Sequence, residues 1–174
     1  EGNDDAMYIE AATKYAADFT GYYYTANAPM YPMMLGFVTM LTGFNLTIYK
    51  LLNTLLFLAH LALMYFAFRR RVPYSVLFPV LLFSAVNSYF LYYASQTYTE
   101  MLFVTLQALF FLVFYRWQEK AAVGSGSWQA LYSNVMPTES SANTAIARLK
   151  NALLVGLVLF LMTFCKNIAI GMLG

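Results

Sequence analysis

Charged residues are scarce in this chain. Asp, Glu, Lys and Arg make up only 10% of its 174 residues, whereas 61% are apolar and 18% are aromatic. Soluble globular domains carry roughly 25% charged residues, and the mean hydropathy of this chain is +0.58. The composition therefore argues against a water-soluble domain and predicts a helical protein that crosses a membrane several times.

Cysteine is also nearly absent, and the net charge is small. Cys165 is the only cysteine, which excludes a disulfide within the chain. A net charge of +2 is too weak to indicate a nucleic-acid partner, and 15 Tyr with 15 Phe exclude a disordered chain. The sequence has no secretory signal peptide and no internal repeat. Because it begins at Glu1 rather than at Met and ends inside an apolar run, we expect a segment of a longer protein.

Four apolar stretches approach the roughly 20 residues that a helix needs to cross a bilayer. They are Leu51–Phe68, Val72–Ala94, Met101–Tyr115 and Ala152–Cys165, the last of which reaches full length only by continuing to Leu173. A fifth run, Met33–Leu41, is too short to cross, so we expect an interfacial or re-entrant helix there. The predicted fold is an all-α, polytopic transmembrane bundle with about four spans and additional interfacial helices.

The basic residues predict the orientation of these spans. Seven of the ten fall on one side, which the positive-inside rule makes cytoplasmic. They are Arg69, Arg70, Arg71, Arg116, Lys120, Arg148 and Lys150. We therefore divide the chain into an acidic outer loop at 1–46, three spans within 47–117, a cytoplasmic loop at 118–147 and a fourth span at 148–174. The expected location is a bacterial or archaeal plasma membrane or the endoplasmic reticulum, with the acidic face outside or in the lumen.

The outer segment predicts a helix with an acidic start. Asn3 can cap it, and the carboxylates of Asp4 and Asp5 fall at the positive end of the helix dipole. Apolar and aromatic side chains then recur at helical spacing on one face, which predicts a buried stripe. These residues are Tyr8, Ala12, Tyr15 and Phe19. The carboxylates could serve function or merely cap the helix, and local signals leave both open.

Two prolines flank a tyrosine further along the outer segment. Each proline fixes its own φ and disfavours helix at the residue before it. The spacing of Pro29, Tyr31 and Pro32 therefore predicts an extended, rigid turn.

Isolated polar residues interrupt the apolar stretches. Lys166 near the outer end of the fourth span would cost about 2.5–3.5 kcal/mol within the apolar region unless it reaches the surface or meets an anion, and either a functional role or such snorkelling accounts for it. Glu100 could open a helix or project into an outward cavity. For a further set of polar residues we expect hydrogen bonds between helices. These are Asn53, His60, Asn87 and Gln107.

Four motifs in order, all at the predicted outer side, resemble those of a glycosyltransferase family. They are Asp4-Asp5-Ala6-Met7-Tyr8, Ala28-Pro29-Met30-Tyr31-Pro32, Ser95-Gln96-Thr97-Tyr98-Thr99-Glu100 and Met162-Thr163-Phe164-Cys165-Lys166. The chain is similar in these motifs to polyprenyl-phosphate-sugar-dependent glycosyltransferases of the GT-C superfamily, the group of protein O-mannosyltransferases and lipid A aminoarabinose transferases. It departs from them at Asp5, where Glu is usual, and at Asn27, where some members have Lys. The first span and the carboxyl-terminal half of the family are also missing from it.

The resemblance implies a site and a reaction. Asp4 would act as the general base, and Asp5 and Glu100 would orient the acceptor, as a sugar moves with inversion from a polyprenyl (dolichyl-type) phosphate. The implied partners are the lipid-linked donor, the bilayer and an acceptor protein, lipid or glycan. The donor phosphate would be bound by Lys166, with Lys50 as a weaker second candidate, and by polar neighbours. These neighbours are Asn27 and Tyr31.

Some members of the superfamily use a divalent metal. No metal is required by this sequence, but Asp4, Asp5 and Glu100 could hold Mg or Mn, since carboxylates prefer hard cations to zinc.

Two other classes compete with the enzyme. A transporter or channel module could line an acidic outer vestibule with the same residues, although it would be favoured by broken helices and inverted repeats, which the sequence does not indicate. A purely structural membrane subunit would explain the spans but not Lys166 or the clustered acids.

Overall fold

The computed structural model of the protein describes residues 3–22, 24, 28–123 and 142–165. In these ranges the chain is all-helical, with seven helices and no strand, as the sequence predicts. The helices are α1 (Asn3–Ala17), α2 (Met30–Thr42), α3 (Leu46–Phe68), α4 (Tyr74–Val86), α5 (Ser88–Ser95), α6 (Glu100–Val123) and α7 (Ala142–Cys165).

Helices α1 and α2 pack closely against each other. The predicted stripe of α1 is confirmed at Tyr8, Ala12 and Tyr15, which are all buried, but Phe19 is exposed and lies beyond the end of the helix. The facing residue of α2 is Gly36, where an added Cβ would lie 2.6 Å from Tyr15 Cβ and 3.1 Å from the Ala12 carbonyl oxygen. The absence of a side chain at Gly36 therefore permits the close approach of the two backbones.

The start of α2 corrects the prediction of an extended turn. Pro29 has helical dihedral angles and immediately precedes the helix, and Tyr31 and Pro32 lie in its first turn. Proline is tolerated there because the first backbone N–H groups of a helix have no partner within it. The Pro29 carbonyl in turn accepts a hydrogen bond from the Met33 amide at 3.0 Å. Helix α2 has 13 residues, too few to cross a bilayer.

Helices α3 and α6 form the central pair. The Asn45 side chain caps α3 by accepting hydrogen bonds from the Thr47 and Ile48 amides. Asn53 contacts Tyr98 near the start of α6, and Arg71 contacts Tyr115 towards the end of its apolar part. From the first contact to the second, the residue numbers increase in both helices, so α3 and α6 run parallel. We call the end near Asn53 the acidic end of the pair and the end near Arg71 its arginine end.

A polar contact between helices lies within this pair, as predicted. His60 Nδ1 lies 3.1 Å from the Val104 carbonyl oxygen, and Thr105 Oγ1 donates to the Leu56 carbonyl at 2.9 Å. The same expectation is wrong for Gln107, which is exposed.

The predicted second span is broken. Helices α4 and α5 meet at an angle of 51°, and Asn87 between them accepts a hydrogen bond from the Tyr89 amide at 2.9 Å. Asn87 thus caps α5 instead of bonding to another helix, because its short side chain can replace a helical hydrogen bond with a local one. Pro79 lies within α4. The expectation of unbroken helices is therefore corrected here.

Two of the described helices are long and apolar enough to span a membrane: α3, and α6 over Glu100–Gln118. The bent pair α4–α5 adds a third if it forms a single span. The apolar part of α7, Leu149–Cys165, is shorter, and its predicted continuation through Lys166 lies outside the described residues. Many large apolar side chains of these helices are exposed, among them Leu55 and Phe83, which is compatible with a membrane protein.

Candidate functional site

The acidic end joins the start of α1 to the turn that precedes α6. Asp5 Oδ1 accepts a hydrogen bond from the Thr97 amide at 2.9 Å and a second, short one from the Thr97 hydroxyl. Thr97 itself is buried. Asp5 lies in the first turn of α1, where the helix dipole favours a negative charge. These two bonds fix the acidic turn of α1 next to the beginning of α6.

Asn53 of α3 is the polar centre of this end. Its side chain is completely buried, its Oδ1 accepts a hydrogen bond from the Tyr31 hydroxyl at 3.1 Å, and its Nδ2 donates to the Tyr98 carbonyl at 3.2 Å. Nδ2 also donates to the Gln96 carbonyl. A buried polar group without partners is costly. The Asn53 carboxamide avoids this cost through its three hydrogen bonds, which also join α2 and α3 to the turn before α6.

The Tyr31 hydroxyl lies near several acidic groups. Burial raises the pKa of Tyr31, the hydrogen bond to Asn53 opposes this rise, and the negative charge of Asp5 adds to it, as do Tyr8 and Glu100. The Tyr8 ring packs edge-on against the Tyr31 ring, with centroids 5.5 Å apart. The Tyr31 hydroxyl therefore keeps its proton and acts as a hydrogen-bond donor.

Glu100 is the first residue of α6 and is half-buried. The residue before it, Thr99, is buried, and its carbonyl accepts from the Phe103 amide at 3.0 Å and lies 3.9 Å from Cys165 Sγ at the end of α7. The negative charges of Glu100 and Asp5 both raise the pKa of the Tyr31 hydroxyl. The described residues thus bring together the beginnings of α1, α2 and α6.

The sequence-predicted site residues divide into three groups. Asp5, Tyr31 and Glu100 lie together at the acidic end. Asp4 belongs to the first turn of α1, but its side chain lies outside the described part. Asn27 and Lys166 lie outside the described residues altogether.

Lys50 does not join the cluster. It is exposed on α3, and within the described ranges its ammonium has no bond to Asp5, Tyr31 or Glu100.

The carboxylates do not form a complete metal site in the described part of the chain. No group of three His, Cys, Asp or Glu side chains there is arranged to hold an ion. Asp5 Oδ1 is already engaged by Thr97. We therefore derive no step through a metal.

Sequence reasoning missed three members of the site. The sequence predicts a hydrogen bond between helices for Asn53 but does not indicate its connection to Tyr31. It presents Thr97 only as part of a motif and Tyr8 only as part of an apolar stripe. The available signal was weak: a single amide in an apolar helix, and a hydroxyl close before an acidic helix start.

Comparison with known proteins finds no matching family model, no matching curated protein and no matching solved structure. The assignment of the candidate site therefore rests on the contacts and charges of its own residues.

Proposed function

We propose that this protein is a membrane glycosyltransferase of the GT-C type, which transfers a sugar from a polyprenyl phosphate to an acceptor with inversion. The observation that carries the proposal is the pair of hydrogen bonds from Thr97 to Asp5. They join two of the four motifs that suggested the family, although these lie 92 positions apart in the chain. A third motif joins them through Tyr31 and Asn53.

In the proposed reaction, Asp4 takes the proton from a hydroxyl or amine of the acceptor. The freed electron pair attacks the anomeric carbon from the face opposite the phosphate. The bond between that carbon and the phosphate oxygen breaks, its electrons stay on the oxygen, and the polyprenyl phosphate leaves as an anion. A single displacement of this kind inverts the configuration at the anomeric carbon.

The contacts of Asp5 suggest different roles for the two adjacent acids. Because Thr97 donates twice to Asp5, that carboxylate is engaged in holding α1 in place and is less suited to accept a proton. Its neighbour Asp4 lies in the same helical turn, where the dipole favours the ionised form that a general base needs. Asp5 is therefore assigned a positioning role and Asp4 the catalytic one.

The remaining polar groups are assigned to the two substrates. Glu100, near Tyr31, would accept a hydrogen bond from the acceptor or the sugar. The protonated Tyr31 hydroxyl would release its hydrogen bond to Asn53 and donate to the phosphate instead. Lys166 is assigned to the donor phosphate as its cation, and Asn27 is assigned to the same phosphate. The exposed position of Lys50 suits an approaching anionic headgroup better than the reacting atoms.

The experiment is a transfer assay with the full-length protein in lipid, using a panel of radiolabelled polyprenyl-phosphate sugars. General bases contribute about 10²–10⁴-fold to rates, so Asp4→Asn should lower transfer by at least that lower factor while leaving donor binding intact. Asp18→Asn, which changes an exposed acid just beyond α1, is the matched control. Undiminished turnover in Asp4→Asn would refute the assignment.

Lys166 is tested separately, because it is assigned to the donor. Lys166→Ala should raise the KM for the lipid-linked sugar more than it lowers kcat. An unchanged KM for every donor on the panel would remove Lys166 from the site.

A second candidate, a transporter or channel module, is favoured by one observation. Helices α4 and α5 are bent by 51° at Asn87, and broken helices of this kind occur at substrate sites of transporters. The same preparation in sealed vesicles distinguishes the two. Ion or solute flux that Glu100→Gln abolishes, together with no transfer from any donor, would favour the transporter.

A further inference from the structure

The arginine end of the α3–α6 pair contains a pocket that the proposed reaction does not use. Its volume is about 80 Å³, and roughly 10–15 Å³ of such space already holds a water molecule. A group of a few heavy atoms therefore fits inside. The pocket is lined by Phe66, Ala67, Arg69, Arg70, Leu112, Tyr115 and Arg116.

Three of these lining residues are positively charged and reachable. Arg69, Arg70 and Arg116 are all exposed, and no residue that lines the pocket is acidic. The neighbouring sequence contains no Asp or Glu over 66–72 and 108–118, and the first acidic residue after Arg116 is Glu119. Among the described residues the single ion pair joins Lys14 to Glu10, far along the chain from this pocket.

Aromatic rings and a backbone bond hold two arginines at this end in place, Arg69 and Arg71. The Arg69 guanidinium lies 5.1 Å from the centre of the Phe66 ring. Arg71 donates to the Tyr115 carbonyl at 2.9 Å and lies 4.2 Å from the Tyr115 ring centre. Arg71 thus ties the end of α3 to α6, while Arg69, Arg70 and Arg116 line the cavity.

Capping of helix ends does not account for this arrangement. A helix C-terminus carries about half a negative charge, and only α3 ends here, since α6 continues to Val123. Arg71 already bonds to a backbone carbonyl. Three further arginines that line one cavity carry more positive charge than a single helix end can neutralise, and their mutual repulsion favours a bound anion.

We propose that this pocket binds the phosphate group of an anionic lipid headgroup. The planar guanidinium matches phosphate oxygens with paired N–H donors, and basic pockets between membrane helices bind phosphate-bearing lipids. Both helices of the pocket are long and apolar enough to span a membrane. Phe66 lines the pocket and is 47% exposed, so it offers an apolar surface on which an acyl chain can lie beside the bound phosphate.

The test measures thermal unfolding of the full chain in a neutral detergent with three added probes. These are dioctanoyl phosphatidylglycerol, dioctanoyl phosphatidylcholine and inorganic phosphate. We expect phosphatidylglycerol to raise the Tm at a half-maximal concentration at least tenfold below that of phosphatidylcholine, and inorganic phosphate to leave the Tm unchanged.

Variants locate the effect in the pocket. In Arg70→Gln/Arg116→Gln the half-maximal concentration of phosphatidylglycerol should rise at least tenfold. Lys150→Gln is the matched control, because Lys150 is exposed on α7 and does not line the pocket, and it should change the value less than twofold. If the glutamine variant fails to fold, Arg70→Lys/Arg116→Lys keeps the charge and should bind with intermediate strength, since lysine lacks the paired donors.

Three results would overturn the proposal. Equal shifts with both lipids would exclude recognition of an anionic headgroup. A shift of the same size with inorganic phosphate would exclude the lipid as the source of the phosphate. Equal binding by wild type, the lysine variant and the glutamine variant would exclude the pocket.

Discussion

Asp5 at the start of α1 accepts two hydrogen bonds from Thr97 in the turn before α6, across 92 positions of the sequence. Neither residue lies in a helix that is long enough to span a membrane. The contact therefore fixes the acidic turn of α1 relative to the α3–α6 pair from outside that pair. Any chemistry of the acidic end depends on it.

The contact can be measured with a double-mutant cycle. Hydrogen bonds to charged groups contribute about 1.5–3 kcal/mol, so Asp5→Ala should lower the free energy of unfolding by about that amount in mild detergent micelles. Thr97→Val removes the hydroxyl donor but keeps the amide, and the two changes should couple by about 1 kcal/mol. Asp5→Ala with Thr42→Val, which alters an exposed hydroxyl on α2, should be additive. Additivity with Thr97→Val as well would contradict the contact.

Asn53 is expected to be the polar residue in α3 that is least tolerant of an apolar replacement. Asn53→Leu leaves the Tyr31 hydroxyl and the Gln96 and Tyr98 carbonyls without their partner, and each unsatisfied buried group costs about 1–3 kcal/mol. Three such groups predict a loss of at least about 3 kcal/mol in denaturant unfolding. Gln107→Leu makes a similar change at an exposed position of α6 and should be neutral or stabilising. Equal effects of the two variants would show that Asn53 is not the centre of the site.

Gly36 and Gly156 form a matched pair for alanine substitution. At Gly36 an added Cβ would lie 2.6 Å from Tyr15 Cβ, whereas at Gly156 nothing lies within 4 Å. Gly36→Ala should therefore separate α1 from α2 and destabilise the protein by about 1–3 kcal/mol, the usual cost of overpacking. Gly156→Ala should stabilise α7 by about 0.5–1 kcal/mol through helix propensity. Thermal unfolding of both variants in the same micelles measures the difference, and a Gly36→Ala protein as stable as Gly156→Ala would contradict the close approach.

Tyr31 predicts a specific loss of stability at high pH. Its pKa is raised in the folded protein, chiefly by burial, and is about 10 when the chain is unfolded. Above that pH the unfolded chain has lost the proton and the folded protein retains it, so stability falls as pH rises, by about 1.4 kcal/mol per pH unit. Below it, both states hold the proton and Tyr31 adds no pH dependence.

The comparison of wild type with Tyr31→Phe isolates this effect, because the other tyrosines are common to both. The difference in the free energy of unfolding should be constant up to about pH 10 and should shrink above it. A difference that stays constant to pH 11 would mean that the folded protein does not hold the Tyr31 proton more tightly than the unfolded chain.

The helix faces and one contact between spans could be predicted from the sequence. The spacing of Tyr8, Ala12 and Tyr15 indicated the buried stripe of α1, and a lone His60 in an apolar run indicated a bond to another helix, found at Val104. Such signals are local: a period of 3.6 residues, and a polar group that apolar surroundings cannot satisfy. They reveal that a partner exists but not which one.

The rest depends on tertiary placement, which the sequence did not reveal. Pro29 and Pro32 disfavour helix by local rules, yet Tyr31 between them is helical because its ring is buried and its hydroxyl bonds to Asn53, 22 positions away. Asn87 lies in a long apolar stretch that predicts one continuous span, and only its capping bond to the Tyr89 amide reveals the break. In both cases a few specific hydrogen bonds outweigh the average tendency of the segment.

The parallel arrangement of α3 and α6 has a consequence for biosynthesis. Asn53 Nδ2 donates to carbonyls that lie 43 and 45 positions later in the chain, so a nascent α3 has neither acceptor until the ribosome has added the returning α4–α5 segment and the turn that follows it. A buried carboxamide without partners is costly. The acidic end of α3 is therefore expected to complete its packing only after the turn before α6 has been synthesised.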